Sequence, residues 1–214
     1  TYWKNPGMVG FATQITWDLP KGFKAGAIKW QVPERSKMLK YNCHGYEGET
    51  FLLADIEVPN NVPDDIKISA NIGGMSCSEK SCCSIGYANT SVSLKAGPLF
   101  TLNKKNSLLI SGARSRLPKL IKDWDVSISK KDKSMILSVK GIDLKREDVY
   151  FFPDQNIYDT EVEQKVNIEN GLLTVEFKLN DFVPKDLKVV TGLLYSKRNW
   201  ADSGSKYLLV RCPL

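Results

Sequence analysis

"KVNIENGLLTVEFKL" (165–179) is the clearest local signal in the chain, and its reading decides the fold class. Asn170-Gly171 suits a type I′ turn, whose two central residues both need positive φ, so the stretch reads as a β-hairpin. The pattern spreads outward from there. "WDVSISKKDKSMILSVKG" (124–141) reads as two strands around a Lys-Lys-Asp-Lys turn, and "LKVVTGLLYS" (187–196) and "KYLLVRCPL" (206–214) complete that set. In the first half, residues 12–17 alternate after the turn-rich Asn5-Pro6-Gly7. "TFLLADIEV" (50–58) and "IKISANI" (66–72) flank the turn cluster "PNNVPDD", and "NTSVSL" (89–94) follows with apolar residues at every second position. Short half-buried strands at this spacing, with no long helical periodicity, predict an all-β protein of β-sandwiches.

One segment breaks the pattern. In "KKNSLLISGARSRLPKL" (104–120), Leu108, Leu109, Ala113 and Leu117 fall at roughly helical spacing, and Pro118 argues for a stop. The expected organisation is one sandwich over residues 1–100, a linker with a short helix over 101–115, and a second sandwich over 116–214. The two halves share no exact repeat. A chain of 214 residues is long enough for this arrangement.

The formal net charge of +6 invites a nucleic-acid reading. The lysines, however, are dispersed among acids, as in Lys130-Lys131-Asp132-Lys133 and Lys145-Arg146-Glu147-Asp148, which is the pattern of a solvated surface. No nucleic-acid-binding motif is present. No stretch approaches the run of about eighteen apolar residues that would cross a bilayer, and no signal-peptide pattern opens the chain. The abrupt start at Thr1-Tyr2-Trp3-Lys4 reads as a soluble piece of a longer precursor.

"GGMSCSEKSCCSIG" (73–86) holds three of the five cysteines. Cys82 and Cys83 are adjacent, with Cα atoms about 3.8 Å apart, so a bond between them would be strained. Cys77 is therefore the common partner, through either C-x4-C or C-x5-C. Such a bond closes so small a loop that it stabilises by only about 2–2.5 kcal/mol in the chain-entropy model. On spacing alone three uses stay open: a structural staple, a redox pair in which Lys80 favours the thiolate, and a metal site recruiting Cys43 and His44, the only histidine. Acyl-transfer chemistry has no local signature. Tyr2, Trp3, Trp17 and Trp30 read as packing residues before ligand contacts.

The runs "TYWKNPG" (1–7), "ITWDLPKGFKAGAIKWQVPER" (15–35) and "GYEGETFLLADIEVP" (45–59) resemble the periplasmic N-terminal region of the DsbD/ScsB membrane protein-disulfide reductases. "RLPKL" (116–120), "VYFFPD" (149–154) and "VVTGLLYS" (189–196) resemble the second sandwich of that family. The resemblance implies immunoglobulin-like sandwiches that form a protein-disulfide reductase domain on the outer, periplasmic face of a bacterial inner membrane, held there through a part of the protein beyond this chain. It would take reducing equivalents from a thioredoxin-like domain of the same membrane protein. It would pass them to periplasmic disulfide isomerases or thioredoxin-like acceptors, some of them serving cytochrome maturation. No cofactor is required. Relatives also carry a further strand or two before the Tyr-Trp segment.

The resemblance makes Cys77 and one of Cys82 and Cys83 the exchanging pair. Measured back from Val92 and Leu94, Cys83 sits nearer the family's second cysteine, which favours Cys77–Cys83 over Cys77–Cys82. Ser84-Ile85-Gly86 stands where relatives carry a proline. Cys43 and His44 fall in the segment where relatives shield the pair with a short cap loop. Cys43 is thus an extra thiol or ligand beside the pair, or simply a small buried residue. Tyr2 is the supporting aromatic, and Cys212 a bystander. The rival reading is an immunoglobulin-like binding or adhesion module whose disulfide is structural only. A metal-sequestering domain is the third.

Overall fold

Asn170 and Gly171 take φ of 50° and 75°, and the turn they form joins strand β11 (Lys165–Glu169) to β12 (Leu172–Lys178). The computed structural model describes residues 1–77, 81, 83–97, 103–118, 125–141, 148–200 and 204–214. With β8 (Val126–Lys131) and β9 (Ser134–Lys140), the hairpin makes a sheet of order β11-β12-β9-β8. The register sets Leu173 opposite Val139, Val175 opposite Leu137 and Phe177 opposite Met135, and all six side chains are buried. A period of two thus sends one face of both strands inward, each large side chain contributing about 1.5–3 kcal/mol by burial.

The facing sheet has the order β10-β13-β14, from β10 (Tyr150–Pro153), β13 (Val189–Tyr195) and β14 (Tyr207–Pro213). Phe151 of this sheet meets Phe177 of the other at 5.5 Å between ring centroids. Gly192 lies where a Cβ would overlap the carbonyl of Phe152 and the ring of Phe151, so only glycine permits this strand approach. Cys212 lies inside this core, with its thiol 3.5 Å from the carbonyl of Val126.

The first half is built from shorter pieces: β1 (Gln14–Asp18), β2 (Lys24–Ala25), β3 (Glu34–Met38), β4 (Tyr41–Gly45), β5 (Ile56–Glu57), β6 (Asp65–Gly74) and β7 (Gly86–Lys95). They pair as β1-β6-β7, β2-β5 and β3-β4. The protein is all-β and immunoglobulin-like, as expected. Two local expectations change. The strand read over 50–58 shrinks to Ile56–Glu57 plus an isolated bridge between Leu53 and Lys29, because the segment opposite is broken by Pro20, Gly22 and Gly26. The β3–β4 hairpin, in contrast, was not expected. Its turn is Leu39-Lys40, with Leu39 at φ 55° and no Gly or Asn to signal it.

Helix α1 (Lys104–Ser115) is capped by Asn103, whose side-chain oxygen accepts the N–H of Asn106. The leucines whose spacing points to this helix do not face a core. Leu108 and Leu109 are exposed, and Ala113 is the helix's buried residue. Among the described residues, no helix is long and apolar enough to cross a membrane.

The opening segment ties the two halves together. Trp3 is fully buried in the core of the second half and meets Phe152 edge-on at 6.2 Å. Asn5 donates from Nδ2 to the carbonyls of Pro153 (2.7 Å) and Gln155 (2.8 Å), and Lys4 pairs with Asp154. On its other side the same segment bonds β4: the Trp3 N–H to the His44 carbonyl, and the His44 N–H to the Pro6 carbonyl. One extended strap therefore satisfies backbone groups of the first half while burying its tryptophan in the second.

Candidate functional site

The cysteine segment is the connection at the tip of the β6–β7 hairpin. The ladder runs from Asp65 opposite Lys95 to Gly74 opposite Gly86, so Cys77 and Cys83 lie beyond the last paired glycines. Cys77 is disulfide-bonded. Cys43, Cys83 and Cys212 carry free thiols, of which Cys83 alone is exposed. The preferred Cys77–Cys83 bond is therefore not the one present, and Cys82 lies outside the described residues.

The backbone gives the reason. Continued without interruption, the β6–β7 register would set Cys77 opposite Cys83. Instead the N–H of Cys83 donates to the carbonyl of Ser76 at 3.0 Å. In an antiparallel pair that bond belongs to a register one residue away from the one that pairs Gly74 with Gly86. The pairing has shifted by one residue between Gly86 and Cys83, as a β-bulge does. Cys83 is thereby moved off the position opposite Cys77 and turned to solvent.

Cys77 borders a cavity of about 330 Å³ that Tyr2 and Cys43 also line, together with Ser36, Lys37 and Glu47. Tyr2 bridges Ala12 on one side and Gly45 on the other. Gly10 and Gly45 permit this: a Cβ on Gly10 would overlap the Tyr2 ring, and one on Gly45 would approach the Thr1 carbonyl to 2.6 Å. The Tyr2 hydroxyl is buried without a hydrogen-bond partner among the described residues. Burial, and then the neighbouring Cys43, raise its pKa. Burial likewise pushes the Cys43 thiol up to about 11, the N-terminal ammonium opposing this and Glu161 adding to it. Cys43 is thus a protonated thiol at neutral pH, a poor nucleophile while it stays covered.

His44, the next residue of β4, serves a second cavity of about 270 Å³, lined by Arg35, Cys43, Tyr150 and Gln164 among others. Its Nδ1 lies 3.2 Å from the carbonyl of Asn5, which can only accept, so Nδ1 carries the proton and Nε2 accepts from the Tyr150 hydroxyl at 2.9 Å. Desolvation lowers the His44 pKa to about 4, the Asn5 carbonyl opposing this and Arg35 adding to it. Arg35 in turn stacks 5.0 Å over the Tyr150 ring and pairs with Asp148. Both ring nitrogens of His44 are therefore engaged by protein partners, and among the described residues no cluster of His, Cys, Asp and Glu could hold a metal.

Of the residues singled out from the sequence, Tyr2, Cys43 and Cys77 share one cavity. Cys83 sits beside Cys77 at the exposed tip, while His44 serves a neighbouring polar cluster. Sequence reasoning missed Asn5, Arg35 and Tyr150 as partners of His44. All three lie in or beside stretches already conspicuous as words, "TYWKNPG", "QVPER" and "VYFFPD", but nothing local says that these meet.

Residues 1–94 match the family described as thiol:disulfide interchange protein DsbD, N-terminal. Among solved structures the fold matches the N-terminal periplasmic domain of ScsB from Proteus mirabilis, with a TM-score of 0.67 and 16% identity over 99% of this chain and 81% of that one. No curated protein sequence matches the chain.

Proposed function

We propose, on the premise that residues 1–94 are a DsbD-type N-terminal region, that this chain performs thiol–disulfide exchange through the Cys77 disulfide. The observation that carries the reading is the position of that disulfide. It lies at the projecting tip of a hairpin, outside the apolar core, where it staples little and an incoming thiolate can reach it. Cys43, Cys83 and Cys212 are free thiols, so of the two partners the sequence leaves open to Cys77 this reading takes Cys82 as the exchanging one.

In the exchange, a donor thiolate attacks one sulfur of the disulfide and displaces the other as a thiolate. A second donor thiol then resolves the mixed disulfide, leaving two protein thiols and an oxidised donor. Run in reverse on an acceptor disulfide, the same two steps make the chain a protein-disulfide reductase. The donor is a thioredoxin-like domain of the same membrane protein. The acceptors are disulfide isomerases or thioredoxin-like proteins, and the compartment is the periplasm. Residues 116–214 act as scaffold, since Cys212 is buried in their core.

Mass spectrometry after incubation with a thioredoxin-type reductant tests this. Rapid, reversible gain of two hydrogen atoms in the native protein supports exchange. Resistance until the protein unfolds identifies a structural staple and overturns the reading.

A further inference from the structure

The cavity beside Cys77 combines free charges of both signs with an unpaired buried donor. Its volume of about 330 Å³ is at the low end of the range for small-molecule sites, about 300–1,000 Å³. Lys37 of β3 and Glu47, just beyond β4, both line it. Among the described residues neither forms an ion pair, and the Ser36 hydroxyl donates to the Glu47 carboxylate at 3.2 Å. Tyr2, 4% exposed, lines the same space, and its hydroxyl has no hydrogen-bond partner among the described residues. A buried donor left unpaired costs free energy that an acceptor placed beside it returns. The half-buried, disulfide-bonded Cys77 borders the cavity, and the protonated Cys43 thiol on its wall adds no competing thiolate.

We infer that this cavity is a substrate site for a low-molecular-weight thiol with an α-amino-acid head group, which reduces the Cys77 disulfide directly. Such a head group carries a carboxylate and an ammonium side by side, and Lys37 and Glu47 supply the matching pair. The Tyr2 hydroxyl donates to an acceptor of the bound molecule. A folded protein cannot enter so small a space, whereas a molecule of one to three amino acids can. The entering thiolate attacks the Cys77 sulfur and breaks the existing disulfide. The displaced sulfur leaves as a thiolate and takes up the proton that the entering thiol lost. A second small thiol then attacks the mixed disulfide and frees Cys77 as a thiol. One protein disulfide and two small thiols thus become two protein thiols and one small disulfide, and no other reductant is consumed. The inference rests on the exchange reading and adds to it a second class of electron donor.

The test titrates the whole oxidised chain with S-methylglutathione and S-methylcysteine, which carry the head group but cannot exchange, and follows binding by NMR chemical shifts. The expected result is saturable binding of at least one of them, and none of 2-(methylthio)ethanol, which lacks the head group. The tighter of the two identifies the source of the thiol, glutathione or cysteine. Lys37→Glu and Glu47→Lys should each weaken binding by about tenfold or more, because each sets like charges together. Tyr2→Phe should weaken it by about threefold or more through the lost donor. Thermal melts confirm that the variants are folded. Absence of saturation, or an affinity that neither charge reversal changes, overturns the inference. In acid-quenched kinetics, the ratio of the rates of reduction by glutathione and by 2-mercaptoethanol should fall by about tenfold in Lys37→Glu; an unchanged ratio overturns the substrate role. Analogue binding beside a disulfide that resists every thiol until the protein unfolds defeats the exchange reading, and the substrate role with it. Absent binding with ready reduction by the thioredoxin-type reductant defeats this inference alone.

Discussion

The His44 cluster ties the stability of the fold to pH in a direction that its geometry dictates. His44 is 1% exposed, donates to one backbone carbonyl and accepts from Tyr150. Protonating Nε2 would set a second donor against a hydroxyl that is already donating, close to Arg35. The folded-state pKa is accordingly lowered to about 4, against 6.5 for the unfolded chain. Because the folded value is the lower one, the unfolded state binds the proton more readily. The stabilisation is complete above about pH 6.5 and is lost as pH falls from there toward 4. Between pH 7.5 and 4.5 this one group removes about 2.5 kcal/mol, most of its full value of about 3.4 kcal/mol. His44→Gln keeps a donor and an acceptor but cannot titrate. Urea unfolding of both proteins at pH 7.5 and 4.5 should show the wild type losing about 2.5 kcal/mol more than the variant, since carboxylate contributions are common to both. Parallel stability–pH curves would falsify the claim that His44 is held neutral by its burial and partners.

Three further outcomes are expected. Asn5→Ala should destabilise the chain by about 2–3 kcal/mol, because the buried carbonyl of Pro153 and the half-buried one of Gln155 lose their donor; thermal melts and faster proteolysis at the opening strap are the readouts, and an unchanged melt refutes the strap. Gly192→Ala should cost about 3 kcal/mol or more, since its methyl would overlap the carbonyl of Phe152 and the ring of Phe151; soluble expression at wild-type stability would show that the strands separate easily. Native alkylation at pH 7.5 should modify Cys83 at least about a hundredfold faster than Cys43, whose pKa near 11 and burial leave it protonated and covered. Mass spectrometry of the two peptides decides this, and comparable rates would mean that the Tyr2 cavity is open in solution.

The sequence by itself determined the elements whose signals are local. Asn170-Gly171 announced its turn because few residues tolerate two consecutive positive φ values. The alternation in 66–72, 89–94, 124–141 and 187–196 announced strands because side chains on a strand reverse every residue. The cysteine cluster was equally legible as chemistry, and the likeness of residues 1–94 to a thiol–disulfide exchange family was carried by words in the chain. The β3–β4 hairpin escaped because its turn is Leu39-Lys40 and its strands are largely polar. Leu108 and Leu109 signalled their helix, but helical spacing says which residues share a face, not whether anything covers it.

Only the tertiary structure decided how the words meet. Asn5 reaches Pro153, His44 reaches Tyr150, and Trp3 enters a core formed mainly by residues about 130 or more positions away. The partner of Cys77 belongs to the same class of question. Spacing allows both Cys82 and Cys83, and a one-residue shift in backbone pairing, set by hydrogen bonds that no side chain encodes, turns Cys83 away.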